Sequence, residues 1–117
     1  METIKNHTDL NQSRELAKIL PFESADMCYY EYTSHIDGTP KVGYKEGITD
    51  GIPCWSLAAL LNVLSLPDLI QDKVDGELFW QCSVYDEDGN SLCETYDNNP
   101  VDACVTMIER LHELNLL

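Results

Sequence analysis

Positive charge is scarce in this chain of 117 residues, which carries 7 lysines and arginines against 21 aspartates and glutamates. The shortage is greatest in residues 46–117, where Lys73 and Arg110 stand against fourteen acids. A net charge of −14 repels phosphate backbones and anionic lipids, so we expect no direct binding to nucleic acid or to a membrane surface. A basic protein is the natural partner, although excess charge can also serve only to keep a small protein soluble.

Long hydrophobic runs are also missing. No apolar segment approaches the roughly 20 residues of a membrane span, and the first 20 residues lack the basic start and apolar core of a signal peptide. We therefore expect a soluble, cytoplasmic protein. The length suits one domain and the 44% hydrophobic content suits one core, so we predict a single domain over residues 1–117, with residues 1–8 flexible.

The usual sequence signatures of catalysis are absent. There is no phosphate-binding glycine motif, no H-E-x-x-H and no G-x-S-x-G. The cysteines are odd in number and include no C-x-x-C, which favours small buried thiols over disulfides or a zinc site; they are Cys28, Cys54, Cys82, Cys93 and Cys104. We predict no enzyme of familiar type, no cofactor and no metal site.

Local signals divide the first half of the chain into elements. Asp9, with Gln12 three residues later, is typical of a capped helix from Leu10 to about Ile19, which Pro21 stops. Four further segments follow: a turn over residues 22–26, a strand over 27–33, a short returning strand over 41–45 that forms a hairpin with it, and a loop over 46–51.

The second half has clearer signals. Ser56 is placed to cap a helix that ends before Pro67, with Trp55 packing on Leu60 as a hydrophobic staple. Residues 68–77 are acidic and carry no predicted element. Two strands over residues 78–85 and 91–96 then flank an acidic turn, and Asn99 caps a helix from residue 100 to about 114.

Side-chain periodicity assigns faces to these elements. Alternation predicts that one set of side chains in the strand over residues 78–85 points into the core: Leu78, Trp80, Cys82 and Val84. Helical spacing predicts that the last helix buries Val101, Cys104, Val105, Ile108 and Leu111, and that Asp102, Thr106, Glu109 and Glu113 face water. The order is α-β-β-α-β-β-α. We predict an α+β fold with a small antiparallel sheet of about four strands and helices on one face.

The acidic turn is one candidate site. Asp86, Asp88 and Asn90 have the spacing of the first ligands in a calcium loop, but position 6 is Ser91 where glycine is usual. Position 12 is Asp97 instead of glutamate, and strands instead of helices flank the loop, so we favour a solvated turn. The exposed aromatic rings expected beside it suggest a protein-binding surface, formed by Tyr85, Asp86, Glu87, Asp88 and Tyr96.

Cys54 is the other candidate. It stands just before a helix start, and the pair Cys54-Trp55 resembles the nucleophile segment of cysteine proteases, without the glycine-rich context. His35, in the turn after the first strand, is the best-placed base. A small enzyme with a Cys54/His35 nucleophile pair is therefore an alternative to a binding protein.

Three short motifs occur in order along the chain: Ser24-Ala25-Asp26-Met27, Pro53-Cys54-Trp55-Ser56-Leu57 and Asn99-Pro100-Val101-Asp102-Ala103-Cys104. In these motifs, over most of residues 10–117, the chain resembles a group of small uncharacterised proteins of phages, prophages and related mobile elements of gut anaerobes. The resemblance implies a mobile-element origin but no catalytic residue or cofactor.

These observations together predict a non-enzymatic, strongly acidic accessory protein that binds a basic protein. A nucleic-acid mimic that inhibits a DNA-handling protein is a narrower version of the same hypothesis. A structural or self-associating protein is a third class.

Overall fold

The computed structural model describes residues 5–30, 41–44, 51–65 and 67–117. Its class is α+β, as predicted, but it has two three-stranded antiparallel sheets where we predicted one sheet of about four strands. The elements in chain order are α1 (Leu10–Leu16), β1 (Met27–Tyr30), β2 (Lys41–Tyr44), β3 (Ile52–Cys54), α2 (Leu57–Val63), β4 (Asp68–Val74), β5 (Glu77–Tyr85), β6 (Ser91–Asp97) and α3 (Pro100–Glu113).

The helix starts follow the capping signals of the sequence. Asp9 and Gln12 form a capping box, in which each side chain accepts a hydrogen bond from the other residue's backbone N–H. Ser56 accepts from the N–H of Ala59 at the start of α2, and Asn99 accepts from the N–H of Asp102 at the start of α3. Helix α1 ends at Leu16, three residues before the predicted end at Ile19.

The first sheet has the order β2-β1-β3. The predicted hairpin pairing of β1 with β2 is present, with Met27 opposite Tyr44. Residues 31–33 of the predicted strand, the turn at 37–40 and most of the loop at 46–51 lie outside the described residues. Strand β3 was not predicted: it is three residues long and contains Pro53, which lacks an N–H and is tolerated because β3 is an edge strand.

The second sheet has the order β4-β5-β6. Strands β5 and β6 were predicted, and β4 was not, because it contains two aspartates and only Leu69 along it is partly buried. Its pairing with β5 runs from Asp68 opposite Ser83 to Val74 opposite Glu77. This backbone pairing holds β4 in the sheet, because its side chains are mostly exposed and contribute little packing. The two extra strands, β3 and β4, change the predicted element order to α-β-β-β-α-β-β-β-α.

Helix α3 lies at the centre of the core. The predicted inward stripe is buried, and Ala103 and Met107 are fully buried as well, because α3 packs against α1 and α2 in addition to β5 and β6. Trp55 and Leu60 are both fully buried in the same core, and the Trp55 indole N–H donates to Ser24 Oγ at 2.9 Å.

Two predicted side-chain environments were wrong. Leu78, assigned to the core, is 54% exposed, because the β4–β5 hairpin extends beyond the helices and leaves both of its faces open. Asp102, assigned to water, is partly buried: its carboxylate accepts from Lys5 Nζ at 2.9 Å and from Gln12 Nε2 at 2.6 Å.

The described residues of the N-terminal segment, 5–8, lie against the start of α2. The N–H of Thr8 donates to the carbonyl of Trp55 at 2.9 Å, and the N–H of Leu57 donates to the carbonyl of Asn6 at 3.1 Å. Thr8 is fully buried. This segment joins α1 to the start of α2 and contributes to the core.

Candidate functional site

The sheet β4-β5-β6 has one covered face and one open face. The covered face packs through Cys82 and Thr95 against α3. The register assigns the following side chains to the opposite side, which we call the outer sheet face and which is open except at the buried Ser83: Asp68, Ile70, Asp72, Val74, Glu77, Phe79, Gln81, Ser83, Glu94 and Tyr96.

Apolar side chains are exposed on the outer sheet face. Ile70 is 51% exposed, Val74 52% and Tyr96 59%, and Phe79 is half-buried beside them. Ile70 and Tyr96 flank Gln81 in the register, so a single row of side chains crosses all three strands. Exposed single apolar residues are ordinary, but several neighbouring ones with charged residues around them are typical of interaction surfaces.

The charges on this face have one sign. It carries four carboxylates, from Asp68, Asp72, Glu77 and Glu94, and no basic side chain. Tyr96 donates its hydroxyl to Glu94 Oε2 at 3.1 Å, and this hydrogen bond, with the negative charge of Glu94, raises the pKa of Tyr96. The face therefore presents apolar surface within a negative field.

The acidic turn is organised by its own hydrogen bonds. Asp86 Oδ1 accepts from the backbone N–H groups of Asp88 and Asn90, both at 2.9 Å. Strand β6 carries Asp97 six residues beyond Ser91, about 20 Å along the strand, so Asp97 cannot close a calcium loop around Asp86. Within the part of the chain that the structure describes, no group of three or more His, Cys, Asp or Glu side chains is arranged to hold a metal ion.

The five residues of the predicted protein-binding surface occupy two regions. Tyr96 lies opposite Gln81, four residues before Tyr85 on β5, which separates the two tyrosines by about 13 Å along the strand. Asp86, Glu87 and Asp88 stay with Tyr85. Tyr85 borders an open cleft of about 350 Å³ between the ends of α2, β5 and α3 and the last residues of the chain, Leu116 and Leu117.

Cys54 is buried with no exposed surface. Its Sγ donates to the carbonyl of Thr8 at 3.4 Å and accepts from Thr8 Oγ1 at 3.5 Å. Burial raises the pKa of the Cys54 thiol, and hydrogen bonds from Thr8 and Ser13 offset this only in part. A nucleophilic cysteine needs a lowered pKa and access to substrate, and Cys54 has neither.

The proposed partner of Cys54, His35, lies outside the described residues. The structure instead brings His7 Nδ1 to 3.8 Å from Cys54 Sγ, a neighbour that the sequence did not indicate because the two residues are far apart in the chain. Tyr29 stacks edge-on with His7 and donates to the carbonyl of Thr8 at 2.9 Å. Burial, and after it the electrostatic effect of the neighbouring Cys54, raises the pKa of Tyr29 to about 12. The Tyr29 hydroxyl and the Cys54 thiol therefore stay protonated at neutral pH. This polar cluster joins the N-terminal segment to β1 and β3.

Of the two candidate regions, the outer sheet face is open and the Cys54 cluster is closed. The sequence indicated Tyr96 but missed Ile70, Asp72 and Val74, because β4 was not predicted as a strand.

The described helices include none that is long and apolar enough to cross a membrane. Comparison of the chain with known protein families, with curated proteins and with solved structures found no match.

Proposed function

We propose that this chain is a non-enzymatic interaction protein, of the accessory type carried by mobile elements, that binds a basic protein through its outer sheet face. The observation that carries the proposal is the exposure of Ile70, Val74 and Tyr96 among four carboxylates with no basic side chain. Apolar side chains supply contact area, and the surrounding carboxylates select a partner of opposite charge and speed its approach.

The burial of Cys54 supports binding over nucleophilic catalysis, because a covered thiol with a raised pKa cannot attack a substrate in the native state. Direct binding to nucleic acid is not part of the proposal, since phosphates would meet carboxylates on the outer sheet face. We place the interaction in the cytoplasm, because an odd number of cysteines without C-x-x-C spacing suits a reducing compartment better than a disulfide-bonded secreted protein.

A salt-dependent pull-down with matched variants tests the proposal. Threonine replaces two exposed apolar residues in Ile70→Thr/Tyr96→Thr, which keeps strand propensity while removing contact area. The control Leu114→Thr/Leu116→Thr removes the same number of apolar side chains, with similar exposure, near the C-terminal cleft. Each protein is immobilised and used to capture partners from lysate of the native host at low and at high salt.

We expect wild type and the C-terminal control to capture the same net-positive protein, and the sheet-face variant to bind it roughly tenfold or more weakly, because two anchor side chains are lost. Capture should weaken in 1 M salt, where the Debye length falls to about 3 Å. A captured protein of negative charge, or equal capture by the sheet-face variant, contradicts the proposal.

A further inference from the structure

Strand β4 is the outermost strand of its sheet. In the order β4-β5-β6 it pairs with β5 on one side, and no described strand pairs with its other side. Six of its seven residues are exposed. An edge strand of this length offers a row of backbone N–H and C=O groups to which another extended segment can pair.

The turn between β4 and β5 fixes which backbone groups face outward. Asp75 and Gly76 have φ values of 52° and 86°, as a two-residue type I′ hairpin requires. Val74 and Glu77 close this turn as a hydrogen-bonded pair, and hydrogen bonding to β5 then recurs at every second residue. The N–H and C=O groups of Leu69, Gln71 and Lys73 therefore point away from β5.

The contact at Lys73 agrees with this assignment. Its backbone N–H donates to Asp72 Oδ1 at 2.7 Å instead of to β5. The outward groups of Leu69 and Gln71 lie within the regular pairing of β4 with β5, which runs from Asp68 to Val74. The other edge of the sheet, β6, is irregular, because its pairing with β5 shifts between Val84 and Tyr85, and such irregularities discourage strand addition.

The side chains of β4 indicate the chemistry of the segment that fits. On the outer sheet face, acidic and apolar residues alternate along the strand: Asp68, Ile70, Asp72 and Val74. A strand added beside β4 would place its own outer side chains next to these, so the complementary pattern is lysine or arginine alternating with an apolar residue at every second position. A second copy of this chain would instead bring two chains of charge −14 together.

We propose that β4 binds its partner by strand addition, and that the occupant is an extended basic segment of the partner protein, with cationic and apolar side chains alternating on the outer sheet face. This inference rests on the proposed function and specifies how the basic partner is held: backbone hydrogen bonds fix the segment on the Leu69 and Gln71 edge, and Asp68 and Asp72 select its charge.

Synthetic peptides test this edge directly. The probe is a capped nonapeptide in which lysine, threonine, valine and threonine repeat, so that lysine and valine share one face and threonine takes the other. Two N-methylated forms carry methyl groups on alternate amides, either at all threonines or at all lysines and valines. In an added strand only one of these two sets of N–H groups points toward β4.

Affinity and amide hydrogen exchange of the protein are measured with each peptide at low salt. We expect one methylated peptide to bind about tenfold or more weakly than the parent and the other to stay within about threefold, since only one set of hydrogen bonds is removed. The Leu69 and Gln71 amides should gain protection, while those of Ile70 and Asp72, already bonded to β5, should change little. Gln71→Pro, which removes one outward N–H, should weaken binding, whereas Gln71→Thr should not.

The outcomes separate this inference from the proposed function. Equal affinities of the two methylated peptides, or binding without new protection at Leu69 and Gln71, overturn strand addition and leave docking on the sheet face intact. Binding of no peptide at low salt contradicts both the edge and the basic partner. A doubling of molecular mass in the absence of peptide, lost in Gln71→Pro, assigns the edge to a second copy and also overturns the inference. Because the methylated peptides probe the unaltered protein, the test stands even where the proline variant does not fold.

Discussion

Cys54 shows how the surroundings of one residue decide its chemistry. Its position before a helix start suggested a reactive thiol, but Thr8 covers it and Trp55 follows it into the core. The broader prediction that the cysteines are small buried thiols is confirmed for four of the five, and Cys93 is partly exposed. Sequence spacing could not show the cover over Cys54, because Thr8 is 46 residues away in the chain.

Alkylation of the native protein measures this cover. We expect iodoacetamide to modify Cys93 first and Cys54 on the order of a hundredfold more slowly, because Cys54 must wait for local opening of the N-terminal segment. Peptide mapping by mass spectrometry at timed intervals gives both rates. In urea the two rates should converge. Rapid modification of native Cys54 would show an accessible thiol and would revive the enzyme hypothesis.

At the scale of elements, the helices were predictable because their signals are local. Asp9, Ser56 and Asn99 each bond an amide three residues later, and that spacing can be read from the sequence alone. The β5–β6 pair was also predictable, since its turn residues and alternating side chains are contiguous. The α+β class follows from these elements together.

The two strands that the sequence did not predict are those that depend on pairing with a strand elsewhere in the chain. Strand β3 depends on pairing with β1, and β4 depends on pairing with β5. Along β4 only Leu69 is partly buried, so it has no alternating hydrophobic pattern to detect. Four of the ten residues of the outer sheet face went unpredicted for this reason, because Ile70 and Val74 become neighbours of Tyr96 only when β4 is a strand.

Asp102 links α3 to α1 and to the N-terminal segment, so we expect its removal to lower the stability of the fold. Burial alone would raise the pKa of Asp102, but hydrogen bonds from Lys5, Gln12 and Asn99 outweigh it and lower the pKa below the usual 3.8. We expect Asp102→Ala to reduce the free energy of unfolding by about 1–2 kcal/mol at pH 7, after allowance for solvent screening of this partly exposed group. Urea denaturation gives the value.

The pH dependence of that loss has a definite sign. A carboxylate with a lowered pKa in the folded state stabilises the protein above its unfolded pKa, and this contribution disappears as pH falls through the folded pKa. The difference between wild type and Asp102→Ala should therefore be constant from pH 7 to about pH 5 and shrink below about pH 4. Glu109→Ala, at an exposed site on α3, is the control and should cost less. A difference that persists undiminished at pH 3 would contradict the role given to the charge.

At the scale of the whole molecule, the sequence established the sign of the surface charge but not its arrangement. The prediction placed the binding surface around the acidic turn, with Tyr85 and Tyr96 together. The structure puts about 13 Å of strand between these tyrosines, and the Asp86 carboxylate accepts hydrogen bonds from the backbone N–H groups of Asp88 and Asn90 in the turn. The fold concentrates exposed apolar groups and carboxylates near Tyr96, and the proposed site moves there.

Hydroxyl-radical footprinting of the complex with the captured basic partner tests the location of this site most directly. Tyr96 and Phe79 report on the outer sheet face, Tyr85 on the turn and cleft, and Phe22 on a remote exposed position. We expect oxidation of Tyr96 and Phe79 to fall several-fold on binding, that of Tyr85 to fall less, and that of Phe22 to remain unchanged, because aromatic side chains buried in an interface lose solvent contact. Protection of Tyr85 with Tyr96 still freely oxidised would contradict binding through the outer sheet face.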